Sequence, residues 1–411
     1  MHILVINSGS SSIKFCLYDM NRETAILSGK LESIGEAISS GYYRVNTTDG
    51  YEREYTENKP IVDHEKGLKD IFSFLQKKLT IEANTPSSPA VNSISILDAV
   101  SHRVVHGGEK YRDPTIIDDN VIDGIRALIP LAPLHNAANL LGIEITRKHY
   151  PQVPQVAVFD TAFFRDLPAR AYRYAIPDDI YQQQQPRRYG FHGTSHHYVA
   201  HLAADYLQQP FASLRMITLH LGNGASAAAI QDGICIDTSM GMTPMDGLIM
   251  GTRCGDLDPS VLFYLARKLN LSLDEIETLL NEDSGMKGLC GTQDMREVHQ
   301  LASDGDSRAQ LAIDMYCYRV CQYIGSYYTT LGGLDALVFT AGIGENDALI
   351  RESICTQLAV LGVSLNHDKN NTDALQAVNI SDHDSKVKVL VFATNEELEI
   401  ARQTVLALTK I

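Results

Sequence analysis

Ile3-Leu4-Val5-Ile6-Asn7-Ser8-Gly9-Ser10-Ser11-Ser12-Ile13-Lys14-Phe15-Cys16-Leu17 holds the pattern on which the fold turns. A continuous apolar run meets a turn of small, hydroxylated residues, after which Ile13, Phe15 and Leu17 recur at every second position. Asp19-Met20-Asn21-Arg22 turns the chain again and Thr24–Leu31 returns. Period-two alternation between Gly, Ser and Asn turns predicts strands joined as hairpins. The plan recurs in mid-chain. Ile217, Leu219 and Leu221 alternate, Gly222-Asn223-Gly224-Ala225-Ser226 turns, Ala227–Ile230 follows, Gln231-Asp232-Gly233 turns, and Ile234–Thr238 returns. Two copies predict a duplicated domain, and the short period of a solenoid is absent.

Outward from each copy, helices alternate with strands. Leu68, Ile71, Phe72, Leu75 and Leu79 fall at helical spacing, and Asn84–Ser93 reads as a loop. Apolar strands are expected at Ser95–Val100, Gln155–Phe159, Asp335–Thr340 and Lys388–Ala393. The alternation predicts an α/β architecture with mixed sheets flanked by helices.

Composition narrows the function classes. The 411 residues are 44% hydrophobic and 21% charged, as expected of an ordered globular chain. A formal net charge of −15 argues against nucleic-acid or anionic-membrane partners, which require clustered Lys and Arg. It also makes a few local arginines responsible for attracting any anionic substrate. Seven cysteines without a CxxC predict reduced thiols in the cytoplasm. The N-terminus lacks a basic leader and no apolar run reaches ~18 residues, so neither a signal peptide nor a membrane span is expected.

Ligands of open α/β sheets bind beyond the carboxyl ends of strands. Asn7, Asp160, Gly342-Ile343-Gly344-Glu345-Asn346 and Asn395-Glu396-Glu397 stand just past four apolar strands. Together they offer acids and amides for Mg²⁺ and backbone N–H groups for phosphate. Singly, the turn after Asn7 reads better as an ordinary hairpin, and Asp160 equally as a helix cap. Thr394 and Glu397 have capping-box spacing, so the cap does not use Glu396, which is expected to bind a cation. No Walker motif and no complete GxGxxG occurs. His192 and His196 lie four apart without HExxH, so His192 is read as an oxyanion donor, and His196, His197 and His201 as structural. Arg103, at the end of a strand-like segment, and Arg253, in a glycine-rich loop, are candidate anion clamps.

Asn7–Phe15, His102–Gly108, Pro130–Asn139, Val158–Phe163, Arg187–His196, His220–Ser226, Asp237–Asp256, Thr340–Asn346 and Thr394–Glu397 together closely resemble the acetokinase family of the sugar-kinase, Hsp70 and actin superfamily. Ala137 and Phe164 depart from that family's usual Pro and His, and the Asp283–Arg296 segment matches more loosely. The resemblance implies two duplicated actin-like (ribonuclease H-like) domains with an interdomain cleft. One would span 1–164, completed by a C-terminal helix 397–411, and the nucleotide-binding one 165–396. It implies Mg²⁺, with Mn²⁺ as a substitute, at Asn7 and Glu396. ATP or ADP would meet Lys14, His220, Leu221, Gly222, Asn223, Gly224, Asp294, Met295, Arg296, Gly342, Ile343, Gly344, Glu345 and Asn346. Arg103 would hold the acyl substrate, with His192, Arg253 and Asp160 as the catalytic residues.

The implied reaction moves a phosphoryl group reversibly between ATP and acetate, giving ADP and acetyl phosphate, in a homodimer. Apolar Val105, Leu134, Phe191 and Pro244 argue against a sugar acceptor, and Val105 argues for acetate over propionate. A carboxylate titrating near ~4 needs no base, so Asp160 is expected to orient a cation's water or an arginine. An actin- or Hsp70-like nucleotide switch is the remoter alternative.

Overall fold

The computed structural model describes residues 1–46, 52–83, 97–372 and 378–410. It divides into two compact units, Met1–Ala162 with Asn395–Ile411, and Phe163–Thr394. The expected loop Asn84–Ser93 and the start of the Ser95–Val100 strand lie outside the described residues.

In the first unit, β1 (His2–Ser8), β2 (Ile13–Asp19), β3 (Thr24–Glu32), β4 (Ser39–Asn46), β5 (Glu52–Lys59), β6 (Ala99–Val104), β7 (Thr115–Ile116) and β8 (Gln155–Phe159) form one sheet, ordered β5-β4-β3-β2-β1-β6-β8-β7. β1, β2 and β3 pair antiparallel, whereas β6 joins β1, and β8 joins β6, in parallel. β1 runs farther than expected: Asn7 and Ser8 pair with Lys14 and Ile13, leaving a tighter turn. Hairpin β4–β5 has no counterpart in the sequence reading. β4 buries one face, Ser39, Gly41, Tyr43 and Val45, but its mixture of Ser, Gly, Tyr and Arg carries little apolar contrast, and β5 is polar and mostly exposed.

The centre of this sheet is covered on both faces, so β1 is apolar throughout: Ile3, Leu4, Val5 and Ile6 are all buried. Leu4, Ile6, Phe15 and Leu17 pack into one core with Leu68, Ile71, Phe72 and Leu75 of the helix His64–Ala83. The side chain of Leu79, on the same helix, lies outside the described residues. The C-terminal helix Glu396–Leu408 packs against β1, β6 and β8, where Thr404 Oγ1 donates to Ser101 Oγ at 2.6 Å.

In the second unit, β9 (Met216–Leu221), β10 (Ala225–Gln231), β11 (Ile234–Thr238), β12 (Ala336–Thr340) and β13 (Lys388–Val391) form a sheet ordered β11-β10-β9-β12-β13. β9, β10 and β11 pair antiparallel, and β12 and β13 extend the sheet in parallel. This repeats the order and polarity of β3-β2-β1-β6-β8, so the duplication is a property of the fold. The helix Gly193–Leu207 lies against β9 and β12, and the helix Ser307–Leu331 against β10. Among the described residues, no helix is long and apolar enough to cross a membrane.

Candidate active site

The first unit gathers its polar residues at the carboxyl ends of β1, β6 and β8. Arg103 is part of β6, paired in register with Val158, and is not on a loop. Its Nη2 donates to Asp160 Oδ2 and its Nη1 to Asn7 Oδ1 at 3.3 Å, while Nε lies 3.8 Å from Glu396 Oε2. Asp160 opens the short 3₁₀ helix Asp160–Phe164 and is 1% exposed. Burial alone would weaken the Arg103 charge, but Asp160 and Glu396 outweigh it and hold the guanidinium firmly cationic. Three residues from three other stretches of chain thus meet around the Arg103 cation.

The expected capping box at Thr394 and Glu397 is not formed. Asn395 is the cap of the helix Glu396–Leu408, its Oδ1 accepting from Leu398 N at 2.9 Å. Thr394 is drawn the other way, its N–H donating to Glu345 Oε1 at 3.0 Å and its hydroxyl meeting Ser195. Asn is a stronger cap than Thr, and the backbone of Thr394 is already committed to the second unit's own turn.

Val105 is buried and its position is fixed from behind. Its N–H donates to Asn139 Oδ1 at 3.0 Å, and Asn136 pairs both ways with the backbone of His106. Both asparagines project from the helix Pro133–His149. Leu134 lies on that helix, with its side chain outside the described residues. Lys14 is exposed on β2.

The second unit gathers imidazoles, glycines and a single guanidinium. His192 precedes the helix Gly193–Leu207 with φ +57°, a left-handed conformation that a non-glycine residue rarely adopts. Its Nδ1 meets Ser226 Oγ at 2.9 Å, and its ring stacks on His220, at the end of β9, with centroids 4.1 Å apart. Leu221 completes β9, and Gly222 N–H donates to Gly224 O at 3.0 Å to close the turn around exposed Asn223. A Cβ on Gly224 would lie 3.4 Å from His192 Nε2 and 3.7 Å from Arg253 Nη1, so only glycine leaves that ground open.

Arg253 donates through Nη1 to Pro244 O at 3.2 Å, and burial lowers its pKa. Among the described residues it has no carboxylate partner. Its loop is held by backbone: Ser284, Met286 and Lys287 N–H groups donate to Thr252, Met250 and Gly251 carbonyls. Gly285 is obligatory there, with φ +59° and its Cβ position only 2.2 Å from Met250 O. Phe191 is buried beside His192, and Pro244 is half-buried.

Gly342, Ile343, Gly344, Glu345 and Asn346 form the short helix Ala341–Asn346 immediately after β12. Gly342 has open space where a side chain would stand, and Gly222 lies close to its backbone N. Glu345 is turned inward, its Oε1 accepting from the N–H groups of Ala341 and Thr394. Buried Arg351 holds this loop through the carbonyls of Gly344 and Glu345, a support that no local sequence signal revealed. Asp294 caps the helix Met295–Ser303, and its ion pair with exposed Arg296 holds its carboxyl down at about 2.

Metal fit follows from the donor set. Asn7 Oδ1, Asp160 Oδ2 and Glu396 Oε2 all face the Arg103 guanidinium, and hard oxygens suit Mg²⁺. Among the described residues no three acids, His or Cys form a closed cage. Mg²⁺ commonly takes one or two carboxylates and completes its shell from phosphate and water.

The sequence matches the acetokinase family over residues 2–402. It is 50% identical over 405 residues to the acetate kinase of Syntrophobacter fumaroxidans, covering 98% of this chain and 96% of that protein. The crystal structure of Porphyromonas gingivalis acetate kinase matches with TM-score 0.87 and 40% identity over 99% of both chains. That of a propionate kinase from Francisella tularensis matches with TM-score 0.89 and 40% identity over 98% of both. The chain belongs to the acetokinase family.

Proposed function

We propose that the protein is an acetate kinase, transferring a phosphoryl group reversibly from ATP to acetate to give ADP and acetyl phosphate. The observation that carries the reading is Arg253, a half-buried cation without a carboxylate partner among the described residues, set beside His192 Nε2 where Gly224 leaves room for an anion. A desolvated cation lacking its counter-charge is costly unless an anion completes it, and a transferring phosphoryl group does so.

Arg103 clamps the carboxylate, and Asp160 orients that guanidinium instead of acting as a base. An acetate oxygen attacks the γ-phosphorus, the bond to the bridging oxygen of ADP breaks, and no proton need move because the acid is already ionised. His192 and Arg253 stabilise the charge on the transferring oxygens. Asn7 and Glu396 would hold Mg²⁺, which supplies charge neutralisation on the nucleotide phosphates when bound. Lys14, the His220–Gly224 turn, Asp294–Arg296 and Gly342–Asn346 receive the nucleotide. Val105, buried just past β6, takes the methyl group. The match to a propionate kinase at 40% identity leaves family membership neutral on chain length, and Val105 supports acetate.

The protein acts in the cytoplasm as a homodimer. Supporting this, the helix Pro259–Leu269 buries none of its residues and leaves Phe263 and Tyr264 60% and 61% exposed, with Leu273 beyond it at 76%. Apolar faces of this kind mark association surfaces. The deciding assay follows ADP formation with Mg²⁺-ATP and acetate, propionate or no acceptor. Acetate-dependent turnover is expected, and equal ATP hydrolysis without acceptor would overturn the reading in favour of a nucleotide switch.

A further inference from the structure

Behind His192 lies a buried line of polar side chains with a direction. Thr218 Oγ1 is 2.7 Å from His196 Nδ1, His196 Nε2 is 2.8 Å from Ser226 Oγ, and Ser226 Oγ is 2.9 Å from His192 Nδ1. Thr218, His196 and Ser226 are each 0% exposed. We propose that these three residues form a one-way chain of donors that fixes the proton of neutral His192 on Nε2, making His196 and Ser226 positioning residues for phosphoryl transfer. This rests on the reading that His192 donates to the transferring group.

The direction follows from counting protons. Ser226 has one hydroxyl proton and stands between two ring nitrogens, so it donates to one and accepts from the other. A neutral imidazole carries one N–H. Two orders satisfy the contacts. In the first, Thr218 donates to His196 Nδ1, His196 Nε2–H donates to Ser226, and Ser226 donates to His192 Nδ1. His192 then holds its own proton on Nε2. In the second, every donor is reversed, and the Thr218 hydroxyl accepts from His196.

The reversed order strands a proton. Among the described residues the Thr218 hydroxyl has His196 as its hydrogen-bond partner, so in that order its O–H finds no acceptor inside the core. A buried donor left unmade is the costlier fault, whereas a spare lone pair on a hydroxyl is tolerated. Burial, reinforced by nearby His220, keeps His196 well below the ordinary histidine range and therefore neutral, as the chain requires.

The consequence reaches the open ground at Gly224, which His192 Nε2 borders together with Arg253 Nη1. The wrong tautomer would present a lone pair to an anion. A protonated ring would add a second positive charge beside Arg253 and against the stacked ring of His220. A neutral ring with its proton fixed on Nε2 donates without either fault.

The test is nitrogen-15 NMR of histidine-labelled, full-length, ligand-free protein, with His192 assigned by loss of its signals in His192→Asn. The expected spectrum shows His192 and His196 neutral, each protonated on Nε2. Ser226→Ala should mix the His192 tautomers and lower kcat about tenfold, with the KM for ATP changed less than about twofold. His196→Gln places an amide N–H donor where Nε2 stood and should restore most of the turnover that His196→Asn loses. A wild-type His192 protonated on Nδ1 overturns the proposal, even if no variant folds. So does Ser226→Ala with tautomer and kcat both unchanged. A wild-type protein inactive with acetate breaks the functional reading instead, and leaves the tautomer measurement standing.

Discussion

The strands β3-β2-β1-β6-β8 and β11-β10-β9-β12-β13 share one order and one set of polarities, yet they end in different chemistry. The first copy finishes in a guanidinium facing its own counter-charges: Arg103 with the carboxylates of Asp160 and Glu396 and the amide oxygen of Asn7. The second finishes in imidazoles, hydroxyls and glycines around Arg253, whose partners are a carbonyl and a thioether. The shared topology fixes where ligands can sit. The handful of residues past each strand decides what they are. A self-satisfied cation suits a small carboxylate that must come and go, and an under-satisfied one suits a group of high charge.

The largest effect expected from this contrast is at Arg253. Arg253→Ala should lower kcat by about 10²–10³, the usual loss for one oxyanion donor, with folding stability little changed. Near-normal turnover in that variant would erase the distinction between the two copies. In the first copy, Glu396→Ala should raise the Mg²⁺ concentration needed for half-maximal rate by about 10–100-fold. An unchanged Mg²⁺ titration removes Glu396 from the cation site.

His102 on β6 sharpens the comparison through pH. It is buried against Gln155, and burial pushes its pKa down to about 4. The unfolded chain therefore binds this proton more tightly than the folded one. The stabilisation is complete above the unfolded value near ~6.5 and is lost as pH falls towards 4. Between pH 7 and pH 5 the wild type should lose about 2 kcal/mol more than His102→Gln does, measured by urea unfolding. Parallel losses would mean the histidine titrates normally.

Smaller effects separate substrate and scaffold. Val105→Ala should narrow a preference for acetate over propionate that is at least about tenfold in the wild type, chiefly by improving propionate. A wild type indifferent to the two acids would refute Val105 as the discriminator. Asn395→Ala should cost about 1 kcal/mol of stability through loss of the cap, while Thr394→Val leaves the helix start intact. Equal losses in the two variants would return the cap to Thr394.

Much of the fold was legible because its signals are local. The turn at Gly9, the alternation in β2 and the second copy at Ile217–Thr238 all depend on neighbours within a few residues. The acids and amides at the carboxyl ends of β1, β8 and β13 could be named for the same reason. Arg103 does stand near the end of a strand, but β6 spans Ala99–Val104 instead of ending at Val100, because a strand covered on both faces shows no alternation to mark its limits. Thr394 was misread because capping-box spacing describes a possibility, and the competing bond to Glu345 spans 49 residues.

By itself the sequence determined the duplicated α/β plan, the absence of a P-loop, and the few cations available to an anionic substrate in a protein of net charge −15. Those are properties of composition and short-range periodicity, and they survive without knowledge of any long-range contact. Only the tertiary structure decided which groups satisfy which. It joined Arg103 to Asp160 across 57 residues, left Arg253 without a carboxylate among the described residues, and placed Ser226 between His196 and His192. The physical reason is that hydrogen bonds act over about 3 Å, whereas sequence spacing constrains positions only within a turn or a strand. The register of distant strands therefore had to be set before any of these partners could be known.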